Sequence, residues 1–327
     1  MYLGNKIENI SYLLSFNSLQ MLKILYDFIC ILTINLVIGQ VHGLLFLLFP
    51  IGIWIKYGNS DNITISIIRY LVSMISCFNF ELLNIYSALL DNVIDVRANN
   101  YWVQNKPMTT YYLSLSLQIV LSIIVHFFEN DSYILLISVL ISELTTYLYT
   151  IGRYSRNPTY KAVYAAYIGI GIHPSTVINL KNNWHVVNNI LLMFSLPWMF
   201  IDPIQDVKDL NSDRRENRKT RYMIMVNNYK DKARGILLIT ISLIQIYLTF
   251  LKANIFVSLL FFSCGMILIS RSIYILKYRD KLSWDVCCLA FIVWIFSSPN
   301  DLNFDSNITL VISLSVILLD IYIFNFI

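Results

Sequence analysis

Apolar stretches about as long as a bilayer is thick follow one another along this chain. That succession limits the possible folds more than any other feature. A helix needs about 20 mostly apolar residues to cross the hydrocarbon core. Ten stretches reach or approach that length: 28–56, 64–90, 110–128, 132–152, 160–180, 186–205, 233–251, 254–276, 283–299 and 307–326. The ninth is short and the fifth only mildly apolar, so nine to ten spanning helices are expected. Composition agrees, with 57% hydrophobic and 13% charged residues, against about 25% charged in an ordinary soluble domain. The expected fold class is all-α, a multi-pass transmembrane helix bundle. A single domain over 1–327 is expected, with 1–27 as an interfacial lead-in. The opening stretch MYLGNKIENISYLLSFNS has mixed charge and no small-residue cleavage site, so it does not read as a secretory signal.

The cations sort by side. Of the 24 lysines and arginines, 20 fall in loops after even-numbered spans or before the first span. The other four are Lys56, Arg69, Lys181 and Lys252. Cytoplasmic loops carry the excess of Lys and Arg, so the even-span loops and both termini are expected there. A net charge of +4 says little by itself, and no nucleic-acid partner is expected. The five cysteines lie in apolar runs without metal-ligand spacing and read as small core residues. The four histidines are scattered. Three Asn-x-Ser/Thr triplets, at Asn62, Asn130 and Asn307, read as chance in an Asn-rich chain.

Against this apolar background the stretch IDPIQDVKDLNSD, 201–213, gathers Asp202, Asp206, Asp209 and Asp213. At 100° per residue the four fall within about 60° of one another on a helix. They form a stripe at the cytoplasmic end of the sixth span. A second stripe ends the second span: Ser87, Asp91, Asp95 and Asn99 repeat every four residues. Carboxylates at a helix C-terminus oppose the helix dipole, and like charges one turn apart repel. Aligned acids therefore call for a compensating cation, and oxygen-rich clusters suit Mg²⁺, which also binds substrate phosphates. Cations flank the stripes. YTIGRYSR holds Arg153 and Arg156, and DRRENRKTR holds Arg214, Arg215, Arg218, Lys219 and Arg221. Arginine meets phosphate with paired N–H donors, so metal ions and cations together could cradle a diphosphate.

These segments resemble the motifs of the UbiA superfamily of membrane-embedded prenyltransferases. That family carries NxxxDxxxD after its second span, YxxxK after its fourth and DxxDxxxD after its sixth. SALLDNVID (87–95) is similar to the first, with Ser87 in place of the Asn. A second register, DNVIDVRAN (91–99), makes Asn99 the last ligand; both keep Asp91 and Asp95. YTIGR (149–153) is similar to the second motif, with Arg153 for the Lys, and DVKDLNSDRRENRKT (206–220) to the third. NKPMTTYYLS, which contains Lys106, is similar to the family's Asn-(Arg/Lys)-Pro loop.

The resemblance implies a Mg²⁺-dependent prenyltransferase with two metal ions bridging an isoprenyl diphosphate. Metal ligands would be Asp91, Asp95 and Asn99 on one helix and Asp206, Asp209 and Asp213 on the other. Tyr149, Arg153, Arg214, Lys219 and Lys106 would bind the diphosphate. Catalysis would rest on Asp91, Asp95, Asp209, Asp213 and Arg153. The implied partners are the isoprenyl diphosphate, an aromatic or hydroxylated lipid acceptor, and the lipid bilayer. One alternative is a membrane terpene cyclase that uses the same diphosphate without an acceptor. Another is a transporter or scaffold relative without catalysis. Of the intramembrane acids Glu81, Glu143, Asp285 and Asp320, Glu81 and Glu143 are further candidates to line the cavity.

Overall fold

The computed structural model describes residues 41–58, 62–91, 106–129, 133–179 and 190–195. It also describes 22, 25–26, 29, 186–187, 198, 206, 213–214, 218–220 and 223. All regular structure among the described residues is helical. Helix α1 runs Val41–Tyr57 with Pro50 inside it, α2 Ile63–Leu90, α3 Pro107–Glu129 and α4 Ile134–Thr150. A 3₁₀ turn at Tyr154–Arg156 leads into α5, Pro158–Val163. The same rod continues as a π-helical segment, Tyr164–Ile172, and ends in α6, His173–Ser175. A second π-helical segment covers Leu191–Ser195. These elements coincide with the first six apolar stretches to within a few residues at the ends of α2, α3 and α4. The last four stretches lie outside the described residues.

Local chemistry accounts for the helix starts. The Asn62 side chain accepts from the Thr64 N–H at 3.0 Å and caps α2. Asn157 accepts from the N–H groups of Thr159 and Tyr160 at 3.0 and 3.1 Å, and Pro158 then occupies the first turn of α5. Both are the ordinary N-cap solution for orphan donors, and proline at that position has no N–H to leave unsatisfied. Helix α2 stops at Leu90, with the Asp91 N–H bonding back to the carbonyls of Ser87 and Ala88, each at 3.1 Å.

The bundle is polar inside and apolar outside. Helix α2 packs chiefly against α3 and then α4. Between them lie Ser76, Asn79, Gln118, Ser122 and Glu143, all buried. The Gln118 amide donates to Ser76 Oγ at 2.5 Å and to the Val72 carbonyl at 3.1 Å, and Asn79 Nδ2 donates to Gln118 Oε1 at 3.2 Å. Glu143 sits beside Asn79, Tyr111 and Gln118, none aligned closely enough with its carboxyl oxygens for a full hydrogen bond. Facing outward are Ile67, Leu71, Val120, Ile123, Phe127, Ile137, Leu140, Ile141 and Leu144. A soluble bundle reverses this order. In lipid, association comes from polar contacts and close packing rather than from hiding apolar surface. Two helices, α2 and α3, are long and apolar enough to cross a membrane among the described residues.

Apolar contacts fill the rest. Phe78, Leu82, Leu83, Ile85 and Tyr111 form one buried cluster near one end of α2. Ile65, Val72, Val125, Leu135 and Val139 form another near the opposite end. The fifth and sixth stretches meet at Gly171, where an added Cβ would lie 2.6 Å from Leu191 Cδ2 and 2.8 Å from Ser195 Oγ. A side chain there would force the Leu191 and Ser195 side chains to shift.

Candidate active site

At one end of the bundle, the finish of α2, the loop after α4, the start of α5 and the segment after the sixth stretch come together. Asp91 caps α2 and is held by two arginines from the loop after α4. Arg153 Nη2 donates to Asp91 Oδ1 at 2.8 Å, and Arg156 Nη2 lies 3.6 Å from Oδ2. Arg153 takes up a left-handed backbone conformation, φ 61° and ψ 20°, which a side chain other than glycine rarely adopts. That conformation turns the chain immediately after α4, and the residue's guanidinium reaches α2.

A second ion-pair group stands on α5. Lys161 Nζ lies 2.5 Å from Asp206 Oδ1 and 3.6 Å from Asp213 Oδ2. All three side chains are buried, with Asp206 at 0% exposure. Arg218 Nη1 is 3.9 Å from Asp213 Oδ1, and the Arg218 N–H donates to the Asp213 carbonyl at 2.8 Å. The Lys219 N–H donates to the Arg156 carbonyl at 3.3 Å, which ties the segment after the sixth stretch to the loop after α4. Arg156 thus touches both groups: its side chain faces Asp91 and its carbonyl takes Lys219.

Beneath these charges lies an aromatic cluster. Tyr149, one turn before Arg153, stacks on Tyr164, one turn after Lys161, with centroids 4.2 Å apart and planes 21° apart. Phe80 of α2 lies 5.8 Å from Tyr164 and 5.9 Å from Tyr149. The Tyr164 and Thr146 hydroxyls are hydrogen-bonded at 2.8 Å.

Of the residues expected from sequence, Asp91, Arg153, Asp206 and Asp213 take part in the two ion-pair groups, with Tyr149 directly beneath. Arg214 and Lys219 are exposed on the segment that carries Asp213. Lys106 is exposed before α3, and its carbonyl accepts from the Thr110 N–H at 3.1 Å. Ser87 is buried, and its hydroxyl donates to the Thr150 carbonyl at 3.4 Å, joining α2 to α4. Asp95, Asn99, Asp209 and Asp202 lie outside the described residues. Among the described residues no three acidic, histidine or cysteine side chains gather closely enough to hold a metal by themselves. Two carboxylates do converge on one cation, since Asp206 and Asp213 share the Lys161 ammonium. That donor set, all carboxylate oxygen, is of the kind Mg²⁺ takes.

Lys161 is the residue that sequence reasoning passes over. Charge counting absorbs it as one more positive-inside residue, although its place inside the first turns of an apolar stretch sets it apart. Arg156 is similar: its proximity in sequence to Arg153 is visible, but its reach to Asp91 is not.

No family model and no curated protein matches the chain. Among solved structures, a digeranylgeranylglyceryl phosphate synthase studied in membranes matches with a TM-score of 0.51 and 17% sequence identity, covering 84% of this chain and 99% of the other. At that identity the likeness is one of fold alone: the chain shares the helical fold of that synthase.

Proposed function

We propose that the protein is a Mg²⁺-dependent intramembrane prenyltransferase. It would move an isoprenyl group from an isoprenyl diphosphate to an acceptor and release diphosphate. The observation that supports this best is the meeting of Asp91, Arg153 and Arg156 with Lys161, Asp206 and Asp213 at one end of a prenyltransferase fold. Asp91 and Asp95 on one side, and Asp209 and Asp213 on the other, would hold the metal, with Asp206 in support and Asn99 as a further ligand. Bound Mg²⁺ would neutralise the diphosphate and make it a better leaving group. The arginines add paired N–H donors to the phosphate oxygens, Arg153 and Arg156 from the loop after α4 and Arg214 with Lys219 from the acidic segment. Lys106 would contribute from the far side of the second loop. The prenyl chain would extend past Phe80, Tyr149 and Tyr164, between the helices or toward lipid. Breaking the C–O bond there leaves an allylic cation facing aromatic rings, which favour positive charge. The acceptor attacks that carbon and loses its proton.

The structural neighbour's name describes the synthesis of a prenylated glyceryl phosphate. We therefore favour a hydroxylated lipid acceptor over an aromatic one. The charged end would face the cytoplasm, where the positive-inside distribution puts it.

The test uses membranes containing the protein, Mg²⁺ and labelled isoprenyl diphosphates of several chain lengths, with and without acceptors. Acceptor-dependent diphosphate release is expected. Asp213→Ala should lower it by about 100-fold or more, as removal of a group that stabilises transition-state charge does, while the protein still inserts. Cyclic hydrocarbon formed without acceptor would instead identify a cyclase. No release at any chain length would end both readings.

A further inference from the structure

Lys161 has a role that charge counting does not assign. It is a lysine buried in the first turns of the fifth stretch, and it faces two buried carboxylates at unequal distances. Asp206 is in direct contact at 2.5 Å, and Asp213 lies at 3.6 Å. Asp206 is 0% exposed, so its charge is satisfied inside the protein, whereas Asp213 is also approached from the other side by Arg218 at 3.9 Å. A buried carboxylate in direct contact with an ammonium is costly to pull away from it in a poorly solvated site. The longer contact is the weaker one and the one that can exchange.

We infer that Lys161 is the resident counter-ion of the third acidic segment: it retains Asp206 outside the metal shell and shares Asp213 with the incoming divalent cation. A cation arriving alone must draw Asp213 away from Lys161. A cation arriving with diphosphate meets less opposition, because the diphosphate oxygens offer the ammonium a replacement partner. Lys161 therefore couples uptake of metal to uptake of diphosphate and disfavours a metal-loaded site without substrate. Asp206 becomes a positioning residue, which acts through Lys161 rather than on the metal.

This inference rests on the metal-binding reading of the site, and the test separates the two. Replacing Lys161 alone would remove a buried cation from beside two buried carboxylates and endanger folding. The informative variant removes one charge of each sign: Lys161→Met with Asp206→Asn. Mn²⁺ binding to the detergent-solubilised full chain is followed by electron paramagnetic resonance, with and without inorganic diphosphate. A neighbouring opposite charge within about 4–6 Å alters the affinity of a carboxylate for a proton by about ten- to a thousandfold. The double variant should accordingly bind Mn²⁺ alone about tenfold or more tighter than wild type. With diphosphate present its affinity should stay within about threefold of wild type, so the preference for the combined ligand shrinks. Lys161→Arg, which keeps the charge and pairs more firmly, should move Mn²⁺ affinity the other way or leave it as weak. Weaker binding by the double variant would make Asp206 a metal ligand and overturn the inference. So would unchanged binding, or tighter binding by Lys161→Arg. If wild type takes up no Mn²⁺ even with diphosphate, the metal reading falls and this inference with it.

Discussion

Arg153 joins two properties that seldom coincide in one residue. Its backbone is left-handed at φ 61°, and its side chain holds Asp91 at 2.8 Å. Holding a residue with a Cβ in that conformation costs about 1–2 kcal/mol, and such outliers collect where function over-determines the local structure. Arg153→Gly should relieve the backbone and leave the melting temperature equal to or above wild type, because an exposed ion pair contributes little to stability. The same change should lower diphosphate release by about tenfold or more, the value of a charge-assisted hydrogen bond to substrate. A variant with full activity and a raised melting temperature would place Arg153 outside the diphosphate site. Sequence alone identified this residue as a cation one turn beyond Tyr149. It did not reveal that the cation turns back to α2, because that depends on a single backbone conformation after α4.

Between elements, the far end of the bundle is tied by an ion pair between a buried arginine and a partly exposed glutamate. Arg69 of α2 is 2% exposed and pairs with Glu129, the last residue of α3, at 2.5 Å. Its Nη1 also donates to the carbonyls of Ile178 and Thr176, at 3.0 and 3.4 Å, and Asn179 donates to Glu129 at 3.2 Å. One guanidinium thus joins the start of α2, the end of α3 and the residues that follow α6. Arg69→Met leaves Glu129 with Asn179 in place of a cation and should destabilise the protein by about 1–3 kcal/mol. Thermal unfolding in detergent would show a lowered midpoint. Adding Glu129→Gln should recover most of the loss, and a double variant as unstable as the single one would contradict the pairing. Diphosphate release measured below the melting range should change little, since this junction lies at the opposite end from Asp91. The elements themselves were largely legible: α2, α3 and α4 follow the apolar stretches 64–90, 110–128 and 132–152. The π-helical course of Tyr164–Ile172 was not; that segment packs Tyr164 on Tyr149 and Phe80 and Gly171 on the sixth stretch, contacts that depend on distant parts of the chain.

Across the whole molecule, the two polar layers sit at opposite ends of the same helices. The ends of α2 and α4, the start of α5 and the Asp206–Asp213 segment share one layer. The start of α2, the end of α3 and the residues after α6 share the other. Helices that alternate in direction through a membrane produce this arrangement. A cysteine replacing Tyr154, which is 50% exposed in the first layer, should react with a membrane-impermeant maleimide from the cytoplasmic side only. A cysteine replacing Tyr133, 61% exposed at the start of α4, should react from the opposite side only. Labelling of both from one side would refute the alternating topology. Labelling with the sides exchanged would keep the topology and reverse the orientation.

The class of fold was decided by the sequence, because every uninterrupted apolar stretch of bilayer length must satisfy its own backbone and so becomes a helix. The acidic and basic segments were equally plain, since charges concentrated in so apolar a chain demand partners. Which partners they take was decided only by the tertiary structure. Asp91 could have faced any of the cations at its end of the bundle and faces Arg153 and Arg156; Asp206 and Asp213 face Lys161. Periodicity places a charge on one side of one helix. The packing of the neighbouring helices determines what stands opposite, and it sets one carboxylate 2.5 Å from the Lys161 ammonium and another 3.6 Å from it.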